Sequence, residues 1–242
     1  MYKVAKIKLI PLLEDKEKRI DSLVNLMGCL YKNGQILEEY VVEDHDSYYL
    51  ATVTTTDDDS LNECYYNEYI QKEIKNFEVS YEIVADDAFC EDSCQCEDPS
   101  YYIFDDDPDA SNPIICGDCG CEVPLYKIPY LDNEKEHYTI QEYHRLYNST
   151  FSVWKHGLSD RFSKRQLIHY KSALNKEGSR ICKELEEKLG KPVYFLLCNP
   201  LGCYYQPKKN QKNLKVCPKC KGKFRFLEDG YADKVCDKCR YA

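Results

Sequence analysis

The sequence predicts an α+β protein in three parts. These are a ferredoxin-like βαββαβ unit over residues 1–89, a Cys-rich metal-binding region with a helix–strand layer over 90–206, and a zinc ribbon over 207–242. Three observations carry that division. Apolar residues in the first third switch between periods of two and about 3.6 in the order strand, helix, strand, strand, helix, strand. Ten of the 15 cysteines fall in four tight clusters. The C-terminal end holds a C-x2-C-x15-C-x2-C spacing.

Taken in order, Ala5, Ile7 and Leu9 alternate with Lys6 and Lys8, the pattern of a half-buried strand. Asp15 is placed to cap a helix on which Ile20, Leu23, Val24, Met27 and Leu30 recur, and Gly34 suits its stop. Ile36–Val42 and Tyr48–Thr55 read as two strands joined by the polar turn Glu43-Asp44-His45-Asp46-Ser47. Ser60-Leu61-Asn62-Glu63 matches a capping box and predicts a second helix over 60–75. Phe77, Val79, Tyr81 and Ile83 alternate with polar residues and predict the fourth strand. Beyond it, Tyr101–Phe104 reads as an aromatic strand and Asp105-Asp106-Asp107-Pro108 as a turn. A helix from about Asn175 carries Ile181, Cys182, Leu185 and Leu189, ends at Gly190 and Pro192, and feeds a strand over Val193–Cys198.

A chain of 242 residues is long enough to bury a substantial core. No stretch approaches the roughly 18 apolar residues of a membrane-spanning helix. The opening residues alternate Lys with apolar side chains and form no continuous apolar run, which predicts an intracellular, cytoplasmic protein without a secretory leader. The charge is strongly divided. From Asn33 to Tyr126 there are 25 Asp and Glu against Lys72 and Lys75, a net of −23; from Pro207 to Ala242 there are 11 Lys and Arg against four acids, a net of +7.

In a reducing compartment, closely spaced cysteines bind metal or do redox chemistry more often than they form bridges. In the middle region Cys90, Cys94 and Cys96 are followed by Cys116, Cys119 and Cys121, with Gly117 and Gly120 behind two of them. Glycine lets a Cys-x-x-Cys segment curl so that backbone N–H groups point at thiolates. Cys94 and Cys96 with Cys116 and Cys119 make a four-thiolate set across 19 intervening residues. Zinc suits it, and so does an iron–sulfur cluster. At the C-terminus, Cys217 and Cys220 with Cys236 and Cys239 have the spacing of a zinc site, which would stabilise a segment too small to build a core. Between them, Phe224 and Phe226 share one face of a hairpin and are expected to pack against the protein. Most of the scattered Cys29, Cys64, Cys182, Cys198 and Cys203 are expected to be small buried apolar residues.

Several stretches resemble an uncharacterised bacterial family of Zn-ribbon-containing, possibly nucleic-acid-binding proteins. They are Cys94-Gln-Cys96-Glu-Asp-Pro-Ser, Cys116-Gly-Asp-Cys119 with Val123-Pro-Leu-Tyr, the Ser172–Tyr194 helix and strand, and the two C-terminal pairs with Arg240. Relative to that pattern Cys90 and Cys121 are extras. The resemblance implies a ribbon and carries no activity.

Catalysis finds little support. There is no phosphate-binding Gly loop, no H-E-x-x-H and no recognisable nucleophile motif, and the five His stand apart from one another. Four-cysteine zinc sites are normally closed, without the open position that catalysis needs. The expectation is therefore a non-catalytic metal-binding protein whose dense carboxylates steer it to a basic protein partner, in the manner of an immunity or antitoxin protein that neutralises a cognate toxin. The alternative is a zinc-ribbon protein that binds RNA or DNA through its basic end.

Overall fold

The computed structural model describes residues 1–89, 92–105, 110–197, 216–227 and 231–242. The chain is a mixed α+β structure that divides into two compact units. Unit 1 comprises Met1–Ser93 and Val123–Tyr138; unit 2 comprises Cys94–Glu122 and Thr139–Ala242.

Unit 1 is built on β1 (Lys3–Pro11), α1 (Lys16–Lys32), β2 (Ile36–Asp44), β3 (Tyr49–Thr55), α2 (Glu68–Glu73) and β4 (Phe77–Asp86). The strands form one antiparallel sheet in the order β2-β3-β1-β4. Ala5, Ile7 and Leu9 point into a core shared with Leu23, Leu26, Met27 and Leu30 of α1. Each large aliphatic side chain buried in this way stabilises by about 1.5–3 kcal/mol. The Asp15 carboxylate accepts from the backbone N–H groups of Glu17 and Lys18, as its position predicts. Ile20 and Val24 are exposed, whereas Leu26 is buried in their stead. The reason lies in Ser22, which is buried and donates to Glu73 Oε2 at 2.9 Å while accepting from Asn76 Nδ2 at 2.9 Å. That polar anchor rolls the helix toward Ser22 and lifts Ile20 and Val24 out.

The helix expected over 60–75 is broken. Ser60 Oγ does not cap it: the hydroxyl donates to Asp57 Oδ1, accepts from Asp57 N and meets Thr56 Oγ1. Asn62 instead caps a short 3₁₀ turn over Glu63–Tyr65, and Asn67 caps α2, so two Asn caps cut one predicted helix into pieces.

The strap Val123–Tyr138 completes unit 1. Gly34, at φ +74°, lies so close to it that a β-carbon would overlap Leu125 Cβ and stand 3.0 Å from Tyr126 N. The Asp57 carboxylate accepts from Tyr126 Oη at 2.6 Å and from Lys127 Nζ at 2.7 Å. Burial pushes this carboxyl up, but the hydrogen bonds from Lys127 and Tyr126 outweigh burial and leave it below the ordinary carboxylate range.

Unit 2 has β5 (Tyr102–Phe104), β6 (Ile114–Cys116), α3 (Tyr138–Lys155, whose first residue closes unit 1), α4 (Asp160–Ile168), α5 (Ala173–Leu189), β7 (Val193–Phe195) and a ribbon of β8 (Arg225–Phe226) and β9 (Lys234–Val235). The three-residue strands order as β6-β5-β7, with β5 antiparallel to β6 and parallel to β7. The Ser172 cap and the Gly190 stop, at φ +67°, bound α5. Helices α3 and α4 occupy the stretch that the sequence left unassigned. Tyr143, Tyr147 and Phe151 form the buried stripe of α3, and Tyr143 meets Phe104 of β5 at 5.4 Å. Cys198, Cys203 and the Asp106–Pro108 part of the expected turn lie outside the described residues. Among the described residues no helix is long and apolar enough to cross a membrane.

Candidate metal centres

Three Cys-x-x-Cys segments fold into the same knuckle. In the first, Cys116 N donates to Cys121 O at 2.9 Å and Gly120 N donates back to Cys116 O at 2.9 Å. In the second, Cys217 N donates to Gly222 O at 2.9 Å and Lys221 N to Cys217 O at 3.0 Å. In the third, Cys236 N donates to Tyr241 O at 2.7 Å and Arg240 N to Cys236 O at 2.8 Å. The residue after the second cysteine is left-handed each time: Gly120 at φ +73°, Lys221 at +60° and Arg240 at +56°. Only the first of these is glycine, so the other two knuckles hold a side chain in a conformation that costs about 1–2 kcal/mol. A backbone kept there needs something to over-determine it, and a metal shared by the cysteines would supply that.

The fourth arm is Cys94-Gln-Cys96. Cys94 N donates to Glu122 O at 2.7 Å, which ties this segment to the chain just past the first knuckle. Cys96 N points at Cys94 Sγ from 3.4 Å, and Gly222 N at Cys220 Sγ from 3.4 Å.

These local turns bring the eight sequence-predicted cysteines into two groups, Cys94, Cys96, Cys116 and Cys119, and Cys217, Cys220, Cys236 and Cys239. Within each group the sulfurs lie within 4.8 Å of one another. The Cys119 and Cys94 sulfurs stand 3.6 Å apart, as do those of Cys220 and Cys236. Thiolates on a tetrahedral ion with metal–sulfur bonds of about 2.3 Å stand about 3.8 Å apart, so the donor sets fit a metal. Their acid–base chemistry fits too. The bond shared with Cys119 pushes Cys96 up to about 11, and burial pushes Cys239 up to about 12, whereas the Gly222 N–H draws Cys220 down to about 7. Four thiols packed this closely ionise together only with a cation among them.

Cys121 stands outside the first group, its thiol 3.7 Å from Cys119 O, and Cys90 lies outside the described residues. Of the scattered cysteines, Cys182 is buried as expected, Cys29 is half-buried and Cys64 is exposed.

Contacts the sequence did not reveal position the C-terminal group. Asp237, between Cys236 and Cys239, accepts from Tyr194 Oη of β7 at 2.6 Å and from Arg225 Nη2 at 2.8 Å. Those two contacts, Arg225 first, hold its carboxyl at about 2. Arg240 pairs with Glu186 of α5 at 2.6 Å, and Tyr241 bridges to Phe195, extending the β7 edge. No spacing rule announces such partners, because each lies far away in sequence. The same contacts correct the reading of the hairpin aromatics. Arg225 pairs with Asp237 in an exposed contact, and Phe226 next to it is 75% exposed. Phe224 is half-buried beneath Lys234 Nζ at 5.2 Å.

Residues 96–198 match a family model described as a domain of unknown function (DUF2310), and residues 4–85 match a second domain of unknown function (DUF8589). No curated protein and no solved structure matches the chain. The first match includes three of the four cysteines of the middle group, and the C-terminal group lies beyond both matches. The matched families describe no activity, so function has to be argued from the two four-cysteine centres and from the surfaces around them.

Proposed function

We propose that this is a non-catalytic, zinc-stabilised cytoplasmic protein whose acidic sheet binds a basic protein partner, as an immunity or antitoxin-type inhibitor binds its toxin. The observation that carries the reading is β4. This ten-residue strand is an outer strand of its sheet, and Tyr81 and Ile83 are 44% and 37% exposed on it. Exposed Glu78, Glu82 and Asp86 stand among them. An outer strand offers a row of backbone donors and acceptors to another strand, and carboxylates beside it select a cationic one. The β2-β3-β1-β4 order with its βαββαβ succession supports the ferredoxin-like reading of this unit, and the paired knuckles support the ribbon reading of the C-terminus. Sulfurs gathered within 4.8 Å favour one ion per centre, since an iron–sulfur cluster spreads its thiolates over several irons.

The test is capture of the partner by the full chain from nuclease-treated lysate, followed by kinetics with the purified partner. A basic protein should be recovered, its association should slow steeply as salt rises, and Glu78→Lys with Glu82→Lys should abolish capture. Recovery that disappears with nuclease, or an on-rate indifferent to salt, contradicts the proposal. The exposed Phe226, which follows Lys219, Lys221 and Lys223 in the sequence, favours a second reading, in which the ribbon contacts nucleic acid; nuclease-sensitive recovery that Phe226→Ala abolishes is its signature.

A further inference from the structure

Unit 2 contains six arginines. Arg145 pairs with Glu142, Arg180 with Glu177 and Glu184, Arg225 with Asp237, and Arg240 with Glu186. Arg161 and Arg165 have no ion pair or side-chain hydrogen bond among the described residues, and both sit one turn apart on α4. Lys164 lies between them, also without a carboxylate partner among the described residues. From Lys155 to Lys171 there are five Lys and Arg against one acid, Asp160, in a chain whose net charge is −9. Like charges four residues apart on a helix repel, and no carboxylate among the described residues pairs with either of them.

Helix α4 buries only Ser163 and Leu167 and packs against α5. Asn175 Nδ2 donates to Leu167 O at 2.9 Å and Ser172 Oγ to Gln166 O at 2.7 Å, which fix its last turn. The outward arc then presents, side by side at helical spacing, Ile168, Arg161, Arg165 and Phe162. Phe162 is 63% exposed, and Leu158 just before the helix is 66% exposed. Just after it, the His169 and Tyr170 rings stack at 5.5 Å with an interplanar angle of 6°, and Lys171 Nζ lies 5.5 Å from the Tyr170 ring centroid.

We propose that this face of α4 binds single-stranded nucleic acid, with phosphates on Arg161, Lys164 and Arg165 and a base stacked on Phe162. The planar guanidinium fork matches a phosphate in two-point contact, and an exposed ring between cations is what a strand of alternating phosphates and bases requires. The arrangement suits a membrane surface less well. An interfacial helix separates its apolar and charged faces, whereas here arginines stand between Phe162 and Ile168 on one arc. The proposal rests on α4 alone and stands apart from both the acidic sheet and the ribbon.

The experiment is fluorescence anisotropy of a labelled single-stranded oligonucleotide of about 20 nucleotides, long enough to span a typical site, with the full metal-loaded chain. It compares the native sequence, Arg161→Glu with Arg165→Glu, Phe162→Ala, and Phe226→Ala. All four substituted side chains are solvent-exposed, and unchanged metal content and circular dichroism verify the fold. Binding should weaken about tenfold or more in the double reversal, with the slope of log K against log salt falling by about 1.4 for two lost phosphate contacts. Phe162→Ala should weaken it about tenfold as well, by loss of one stacked base. Binding that survives the double reversal overturns the proposal. So does loss in Phe226→Ala alone, or association with phosphatidylserine vesicles or an acidic protein in place of the oligonucleotide.

Discussion

His137 is 1% exposed in unit 1, its ring 4.7 Å from that of Tyr130, and neither ring nitrogen has a hydrogen-bond partner among the described residues. Its backbone N–H is held by Lys32 O at 2.7 Å, and Glu136 beside it pairs with the Lys32 ammonium at 3.7 Å. Burial pushes the imidazole down from 6.5 to about 3. Above about pH 6.5 the ring is neutral folded or unfolded, and stability is unaffected. Below it, the unfolded chain takes up a proton that the fold refuses. Stability should therefore fall on the order of 1.4 kcal/mol per pH unit between about 6.5 and 3. Urea midpoints measured across this range check it: His137→Leu should flatten the slope by about one proton, and an unchanged slope would contradict the assignment. Nothing in the sequence marked this residue, because burial of a lone His depends on where the strap lies. By contrast Asp15, Gly190 and the eight clustered cysteines were legible, since caps, stops and knuckles depend on near neighbours.

At the scale of elements, the four strands of unit 1 and the helices α1 and α5 form where the sequence places them. Only β1 and β3 alternate in burial along their length; β2 and β4 are mostly exposed, and α1 turns Ile20 and Val24 outward. The failures have a common cause in polar side chains that take partners other than the helix they were placed on. Ser60 serves Asp57 instead of a helix, and Ser22 rolls α1 toward Glu73. The strap shows the same dependence, being fastened by the carboxylate of Asp57, which is buried, and by Lys127, whose side chain is 34% exposed. Lys127→Met should lower stability by about 1–3 kcal/mol, below the cost of breaking a fully buried pair because solvent screens part of it. Lys127 helps to hold the Asp57 carboxyl low against burial, so its loss lets the folded carboxyl rise toward the unfolded value. The variant, weaker at pH 7, should therefore lose less further stability than the native protein as pH falls through the ordinary carboxylate range. A urea midpoint unchanged at pH 7 would show that the strap is held by Tyr126 and Leu125 alone.

For the whole molecule, each unit presents a charged surface of its own, and the cationic one of unit 2 lies on α4, outside the basic segment 207–242 that the sequence displays. Unit 1 sets carboxylates beside exposed Tyr81 and Ile83, and unit 2 leaves Arg161 and Arg165 without carboxylates among the described residues. The sheets of unit 2 are made of strands too short to hold alone, with β5, β6 and β7 spanning three residues each and β8 and β9 two. Such short elements gain order from cross-links, and metal in the two four-cysteine centres would supply them. The most direct test is metal content of the purified chain by native mass spectrometry and elemental analysis. Two zinc ions per chain are expected, one for each group of four cysteines. Cys217→Ser should lose one and leave the middle centre loaded. A chain that folds without metal, or one that carries a visible iron chromophore in place of zinc, would contradict it.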